Sequence, residues 1–150
     1  MKILFLCTAN VCRSPLAEGY LASLLRGKKD PAIQVASAGI MAFPGAPAFE
    51  CAVGVGRTFG FDLSHHRARQ FSLQMGQEAD QILCMETWQA ARVMTLHPSL
   101  ADKVKLLGSY HPAAQRLLQI NDPRAFTVAE TVKTFELIRA SVDSIITKLA

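Results

Sequence analysis

Short apolar runs alternate with stretches of helical composition along the whole chain. The runs that predict β-strands are Lys2–Leu6, Ile33–Ala36, Gln81–Met85 and Val104–Leu107. The stretches between them predict helices over Pro15–Arg26, Pro47–Phe59 and Thr87–Leu96. Because the strand runs are apolar throughout rather than alternating, they suit strands that are covered on both faces. Strand and helix in alternation predict an α/β fold built on a parallel sheet.

The last part of the chain carries the clearest helical pattern. Thr127 and Glu130 have the spacing of a capping box at the start of a helix. Apolar side chains then recur at helical spacing at Val128, Val132, Phe135, Ile138, Val142, Ile145 and Leu149. We expect this apolar stripe to pack into the core.

The segment between the first strand and the first helix carries the candidate chemistry. It starts at Cys7, and Arg13 and Ser14 stand directly before Pro15. Ser14 is a good N-cap residue and Pro15 suits the first helical position, so a loop over Thr8–Arg13 is predicted. The backbone N–H groups of such a loop and the helix macrodipole converge on one point, which favours a bound anion.

Cys7 is the candidate nucleophile at that point, because the same field favours its thiolate over the thiol. Arg13 offers a planar fork that can hold two phosphoryl oxygens. Asn10 tolerates left-handed backbone angles and is predicted to organise the loop, and the Ser14 hydroxyl can donate to the thiolate. On the C-x5-R spacing alone, a buried structural cysteine beside a surface arginine remains an alternative. The strand before the loop and the Ser-Pro pair after it favour the functional interpretation.

Ligands of parallel sheets bind outside the carboxyl ends of the strands, and this rule selects among the acidic residues. Four of them precede a predicted strand or lie in the last helix: Asp30, Asp80, Asp102 and Asp143. Those that remain are Glu50, Glu86 and Asp122. We predict Asp122 as the general acid, because it lies in the long loop after the fourth strand and is followed by Pro123. Glu86 is the next candidate, and Asn-Asp-Pro is also common turn chemistry.

Length, cysteine usage and charge narrow the classes of protein. A chain of 150 residues predicts one domain that buries a core without disulfides. Its four cysteines match no zinc-binding spacing, so we expect free thiols, no metal and no cofactor. The net charge of +4 favours acidic or phosphorylated partners and is too small for a nucleic-acid-binding protein. No run has membrane-spanning length and the start does not read as a signal peptide, so a cytoplasmic protein without a membrane partner is expected.

With these motifs in place, the chain resembles the low-molecular-weight protein tyrosine phosphatases. Their loop typically reads C-x-G-N-I-C-R-S-P, and here it is Cys7-Thr8-Ala9-Asn10-Val11-Cys12-Arg13-Ser14-Pro15. Further matching segments are Ser37-Ala38-Gly39, His66–Gln70, Asp80–Met85, Leu106–Tyr110 and Asp122-Pro123. The resemblance implies a four-stranded parallel sheet flanked by helices, in a flavodoxin-like three-layer architecture that spans residues 1–150 as one domain.

The resemblance also implies roles for the site residues. Cys7, Arg13 and Asp122 would be the nucleophile, the phosphate-binding residue and the general acid in the hydrolysis of phosphotyrosine in proteins. The reaction would pass through a cysteinyl-phosphate, with inorganic phosphate as product or inhibitor. His66 matches a histidine that helps to hold the loop asparagine, here Asn10. The substrate-binding positions would be Thr8, Ala9, Asn10, Val11, Cys12, Ser14 and Phe43.

The chain departs from the family pattern at three places. Ala9 stands where the family has glycine, and alanine is small enough for near-normal loop geometry. After Asp122-Pro123 the family usually carries aromatic residues, whereas here Arg124 and Ala125 come first and Phe126 follows. Arg124 instead offers a cation to acidic residues that flank a phosphotyrosine, or to a phosphate elsewhere on a different substrate. Phe43 matches the family's other aromatic wall but lies in a shorter loop.

The cysteines leave one rival enzyme open. A thiol-dependent arsenate reductase shares this fold and loop, and Cys84 lies near the right place to carry electrons away. However, Trp88, Gln89 and Ala90 stand where a second shuttle cysteine is expected. Cys12 is either a small buried residue of the loop or a thiol that traps oxidised nucleophile as a disulfide, and the first interpretation is slightly favoured.

Two further functions remain open on the sequence. A protein-arginine phosphatase resembles this chain, but that subgroup tends to carry threonine at the position of Val11, so Val11 favours tyrosine. A non-catalytic phosphate-binding module would keep Arg13 and the loop but would need neither Cys7 nor Asp122. Because both are present, catalysis is favoured.

Overall fold

Four parallel strands form the centre of the computed structural model, which describes residues 1–28, 32–113 and 118–149. The strands are β1 (Lys2–Cys7), β2 (Gln34–Gly39), β3 (Gln81–Cys84) and β4 (Val104–Leu106). Their order across the sheet is β2-β1-β3-β4, with every neighbouring pair parallel. The order reverses between β1 and β3, which is the switch point where flavodoxin-like sheets bind ligands. The predicted four-stranded parallel sheet is confirmed, and the loop after β1 leaves the sheet at this switch point.

Helices cover both faces of the sheet. They are α1 (Arg13–Lys28), α2 (Glu50–Phe59), α3 (Leu73–Glu78), α4 (Thr87–Leu96) and α5 (Val128–Leu149). Two 3₁₀ segments, Pro98–Lys103 and Leu107–Tyr110, flank β4. Within the described residues, none of these helices combines the length and apolar character that crossing a membrane requires.

The core lies in two layers because successive residues of a strand point to opposite faces. Ile3, Phe5 and Cys7 of β1 face one layer, which α1, α2 and α5 complete. Leu4 and Leu6 face the other layer, together with side chains of β3, α4 and the first 3₁₀ segment. The stripe predicted for the last helix is largely in the first layer, where Phe135, Ile138, Val142 and Ile145 are buried. The three-layer arrangement is thereby confirmed.

Several element boundaries differ from the predicted ones. β2 extends to Gly39 rather than ending at Ala36, because Ser37, Ala38 and Gly39 pair with Phe5, Leu6 and Cys7. α2 starts at Glu50, since Pro47 forms an antiparallel bridge with Arg67 instead of a helical turn. The short helix α3 was not predicted. It begins after Ser72, whose Oγ accepts a hydrogen bond from Met75 N at 3.3 Å.

Three of the four acidic residues that the sheet rule excluded lie away from the carboxyl ends of the strands. Asp80 Oδ2 accepts a hydrogen bond from Lys2 N at 2.7 Å, which places it at the amino ends of the strands. Asp102 lies in the 3₁₀ segment before β4, and Asp143 lies within α5. Asp30 falls outside the described residues. At the start of α5, Glu130 N donates to Thr127 Oγ1 at 3.2 Å, so half of the predicted capping box is present.

Candidate active site

The loop after β1 curls around the sulfur of Cys7. Asn10 N donates to Cys7 Sγ at 3.3 Å, and Ser14 Oγ lies 2.9 Å from the same sulfur. Ser14 belongs to the first turn of α1, which begins at Arg13, so the predicted role of Ser14 as N-cap is wrong. The hydroxyl turns to the sulfur because the loop brings Cys7 directly over the helix start. The sulfur therefore lies where the first N–H groups of α1 are not yet paired within the helix.

Asn10 holds the loop in this shape. Its backbone has a φ of 59°, and it is the only non-glycine residue with positive φ among those described. Its Nδ2 donates to Ser14 Oγ at 2.8 Å and to Ser37 Oγ at 2.9 Å, and its Oδ1 accepts from Arg69 N at 2.9 Å. His66 Nε2 lies 2.7 Å from the carbonyl oxygen of Asn10. The expected contact between His66 and the loop asparagine is present, and it reaches the backbone rather than the side chain.

Two small residues let the loop approach β2. Ala9 has no positive φ, so alanine in place of glycine brings no backbone strain. Gly39 at the end of β2 lies against the loop, and a Cβ there would come within 2.7 Å of the Thr8 carbonyl oxygen and 2.9 Å of the Ala9 carbonyl carbon. The Ser37-Ala38-Gly39 segment thus supplies both a partner for Asn10 and the space for the loop backbone.

Arg13 is buried at the base of the site, with only 1% of its side chain exposed. Its Nη1 donates to Glu86 Oε2 at 2.7 Å and to the Ile120 carbonyl oxygen at 2.8 Å. Its Nη2 donates to Thr8 Oγ1 at 3.3 Å. Its Nε lies 3.1 Å from Asp122 Oδ1 but has no hydrogen-bond partner among the described residues. A buried guanidinium N–H without a hydrogen bond, in the pocket that Cys7 also lines, suits an anion that accepts from it.

Glu86 takes a part that the sequence reasoning did not assign. It was the second candidate for the general acid, but its carboxylate pairs with Arg13 and is 20% exposed. Asp122 approaches a different nitrogen of the guanidinium, Nε, with 53% of its side chain exposed, and is followed by the buried Pro123. The sequence feature that could have indicated a role for Glu86 in the site is its place shortly after β3, at the carboxyl edge of the sheet.

These groups meet in a pocket of about 150 Å³. Its lining residues are Cys7, Thr8, Ala9, Val11, Cys12, Arg13, Phe49, Asp122 and Phe126. The rings of Phe49 and Phe126 pack edge to face, with centroids 4.9 Å apart and an interplanar angle of 77°. Phe126 contributes an aromatic wall although Arg124 and Ala125 precede it. Phe43 is 82% exposed and is not part of this lining, whereas Phe49, which the sequence reasoning missed, takes a wall position.

Cys84 and Cys12 lie in different places relative to Cys7. Cys84 belongs to the core layer on the opposite face of the sheet from Cys7, and burial raises its pKa to about 12. Trp88, Gln89 and Ala90 lie in α4, so no second thiol follows Cys84 there. Cys12 is buried in the loop, and burial raises its pKa above the ordinary thiol range, which suits a core residue.

Comparisons with known proteins agree with this geometry. The family model for low molecular weight phosphotyrosine protein phosphatases matches residues 2–150. The chain belongs to this family. It is 34% identical to a probable low molecular weight protein-tyrosine-phosphatase, EpsP, of Ralstonia nicotianae over 95% of this chain and 91% of that protein. It is 38% identical to the phosphatase Wzb of Salmonella typhi over 73% of this chain and 70% of that protein.

Solved structures of family members have the same fold. A low molecular weight protein tyrosine phosphatase from T. tengcongensis is 30% identical, with a TM-score of 0.89 and 99% of each chain covered. Wzb from Escherichia coli K30, solved in complex with sulphate, is 28% identical, with a TM-score of 0.87 over 99% of this chain and 98% of that one. The YwlE arginine phosphatase from Geobacillus stearothermophilus is 27% identical, with a TM-score of 0.86 over 99% of this chain and 92% of that one. The family and fold predicted from the sequence are thus confirmed.

Proposed function

We propose that this protein is a phosphatase that hydrolyses phosphotyrosine in proteins through a cysteinyl-phosphate. The observation that carries the proposal is the convergence of Cys7, Arg13 and Asp122 on one pocket. A thiol nucleophile, a buried guanidinium with one N–H that makes no hydrogen bond to the described residues, and a solvent-accessible carboxyl are the groups that phosphate monoester cleavage by a cysteine needs. A phosphate-binding module without catalysis would explain Arg13 but neither of the other two.

In the first step, the Cys7 thiolate attacks the phosphorus in line with the ester oxygen. The S–P bond forms and the P–O bond to tyrosine breaks, while Asp122 gives its proton to the leaving phenolate oxygen. The equatorial oxygens accept hydrogen bonds from the loop N–H groups and from Arg13. Arg13 Nε is suited to this role because it is buried and makes no hydrogen bond to the described residues.

In the second step, water attacks the phosphorus of the cysteinyl-phosphate. Asp122, now a carboxylate, takes a proton from this water as the P–O bond forms. The S–P bond breaks and its electron pair returns to Cys7, and inorganic phosphate is released. The Ser14 hydroxyl, 2.9 Å from Sγ, is placed to donate to the sulfur as it becomes a thiolate again. Inorganic phosphate, as the product, competes with substrate for the same loop.

The pocket walls support an aromatic phosphate ester as substrate. The edge-to-face pair of Phe49 and Phe126 stands beside the loop and offers an apolar surface to a phenyl ring. Val11 adds an aliphatic side chain to the lining, and this side chain has no hydrogen-bonding group to offer a guanidinium. Arg124, exposed two residues after Asp122, is placed to attract acidic residues beside the phosphotyrosine. Phe43 remains a candidate contact for the polypeptide outside the pocket.

The chemistry of the nucleophile also supports a reducing compartment, the cytoplasm, as the place of action. The four cysteines at positions 7, 12, 51 and 84 are all free thiols. Cys7 must stay reduced to attack phosphorus, and disulfide-forming compartments work against a free catalytic thiol.

Steady-state turnover of a phosphotyrosine peptide, phosphoarginine and arsenate, measured side by side, tests the proposal. We expect the peptide to be hydrolysed with release of inorganic phosphate, and Cys7→Ser to abolish turnover while it still binds phosphate. The serine hydroxyl lacks thiolate nucleophilicity, but the loop N–H groups persist. Preference for phosphoarginine, reduction of arsenate, or turnover by Cys7→Ser would each contradict it.

A further inference from the structure

Gln89 is a polar residue of α4 with no exposed surface, and the mechanism above gives it no part. Its Oε1 accepts hydrogen bonds from the backbone N–H groups of Met85 and Glu86, each at 3.0 Å. Its Nε2 donates to Thr8 Oγ1 at 3.1 Å and to Glu86 Oε2 at 3.4 Å. These four bonds use the full hydrogen-bonding capacity of the amide.

The bonds from Gln89 complete a ring with Arg13. Arg13 Nη1 donates to Glu86 Oε2 at 2.7 Å, and Nη2 donates to Thr8 Oγ1 at 3.3 Å. Gln89 Nε2 reaches the same two acceptors from the other side. One amide nitrogen thus fixes both the carboxylate and the hydroxyl that hold the guanidinium in place.

The ring also determines how the Thr8 hydroxyl can act. A hydroxyl has two acceptor lone pairs and one proton to donate. The bonds from Arg13 and Gln89 occupy both lone pairs of Thr8 Oγ1, and its proton has no acceptor among the described residues. Because Thr8 lines the pocket, this proton is available to an oxyanion bound there.

We propose that Gln89 is a positioning residue for oxyanion binding, which holds the Thr8 hydroxyl as a donor and the Arg13 guanidinium in place for the phosphoryl group. The inference rests on the proposed function, since the oxyanion is the phosphoryl group of that reaction. Gln89 also accepts two backbone hydrogen bonds where β3 passes into α4, so a test has to separate the two roles.

Two substitutions separate them. In Gln89→Glu the side chain keeps its shape, and as a carboxylate it can still accept from Met85 N and Glu86 N but has no N–H to donate to Thr8. Its added charge is present with and without Thr8→Val, so combining the two substitutions isolates the lost donor. Gln89→Leu removes all four bonds without adding charge. Gln119→Leu is the matched control, because Gln119 Oε1 accepts from N and Oγ1 of Thr87 at 2.8 Å at the same end of α4.

The measurements are the dissociation constant of inorganic phosphate, kcat and KM for an aryl phosphate, and the free energy of unfolding. We expect both Gln89 variants to bind phosphate roughly tenfold more weakly than the wild type, as for a lost hydrogen bond to a charged group. Gln119→Leu keeps the wild-type phosphate affinity. Because Thr8→Val removes the same donor, adding it to Gln89→Leu or Gln89→Glu causes little further loss.

Wild-type phosphate affinity in the Gln89 variants, whatever their stability, would overturn the proposal, and so would additive losses with Thr8→Val. If Gln89→Leu does not fold, Gln89→Glu and its combination with Thr8→Val decide the matter. Failure of the proposed function is visible separately, because the wild type would then bind phosphate without hydrolysing the aryl ester.

Discussion

Ser14 Oγ lies 2.9 Å from Cys7 Sγ and accepts a hydrogen bond from Asn10 Nδ2 at 2.8 Å. The Ser14 proton has two acceptors within reach, Cys7 Sγ at 2.9 Å and the Ala38 carbonyl oxygen at 3.5 Å. When Cys7 is a thiolate, the nearer and charged sulfur is the better acceptor. The hydroxyl therefore stabilises negative charge on sulfur, which matters most when Cys7 is the leaving group. In the proposed mechanism this is the hydrolysis of the cysteinyl-phosphate.

Ser14→Ala should slow hydrolysis of the intermediate more than its formation. We expect kcat to fall roughly tenfold, as for a lost hydrogen bond to a charged group, with a lower KM because the intermediate accumulates. Stopped-flow kinetics with an aryl phosphate should show a burst of phenol that approaches one equivalent of enzyme. Ser141→Ala, which removes a buried hydroxyl from α5, is the control and should show wild-type kinetics. Unchanged kcat without a burst in Ser14→Ala would remove Ser14 from the second step.

Glu86→Gln should destabilise the protein and weaken catalysis. The Arg13 side chain is 1% exposed, and loss of the carboxylate 2.7 Å away leaves a buried charge with weaker partners. Breaking a buried pair in this way costs about 3 kcal/mol, which denaturant unfolding can measure. The control is Glu130→Gln, which breaks an exposed pair with Lys133 and should change stability by less than about 0.5 kcal/mol. Equal stability of the two variants would show that the Arg13–Glu86 pair contributes nothing.

The parts of the site that sequence reasoning found are those that local pattern and sheet topology determine. The strand before Cys7, the helix after it and the parallel sheet fix where the loop lies, and Asn10 was predicted from its backbone tolerance. The position of Asp122 followed from the rule that ligands bind at the carboxyl ends of strands. Each of these features depends either on the backbone preferences of a short segment or on the order and direction of the strands in the sheet.

The parts that sequence reasoning missed depend on where side chains point. The sequence around Ser14 does not distinguish a helix N-cap from a residue that contacts a sulfur. The tertiary shape of the loop determines which of the two Ser14 is. Phe49 and Phe126 are 77 positions apart by number, and their packing at the pocket arises from tertiary structure. The six residues of α3 are too few to show helical periodicity.

Substitution of Cys84 distinguishes a hydrolase from an arsenate reductase. Cys84 faces the core layer opposite Cys7 and has no exposed surface, so we expect Cys84→Ala to retain kcat and KM within about twofold, with a loss of stability of about 1 kcal/mol for the smaller side chain. Arsenate reduction should be absent in both wild type and variant. Thiol-dependent reduction of arsenate that Cys84→Ala abolishes would contradict the assignment and require Cys84 to reach the pocket.

The role of Asp122 is best tested with leaving groups of different pKa. Phenolate of tyrosine, whose conjugate acid has a pKa of about 10, needs a proton as it leaves, whereas an activated nitrophenolate needs little. Asp122→Asn keeps the shape of the side chain but has no proton to give. We therefore expect kcat/KM for a phosphotyrosine peptide to fall on the order of 100-fold, and the loss for an activated aryl phosphate to be clearly smaller.

Because Asp122 also lies 3.1 Å from Arg13 Nε, its removal alters the charge around the guanidinium. The affinity for inorganic phosphate separates this effect from proton transfer. Because a neighbouring negative charge is lost, Asp122→Asn should bind phosphate at least as tightly as the wild type. Equal losses for both leaving groups would mean that Asp122 is not the acid that protonates the ester oxygen. The same series on Glu86→Gln then tests whether this second carboxyl protonates the ester oxygen. We expect that it does not, because Glu86 is paired with Arg13 Nη1 and is not among the residues that line the pocket.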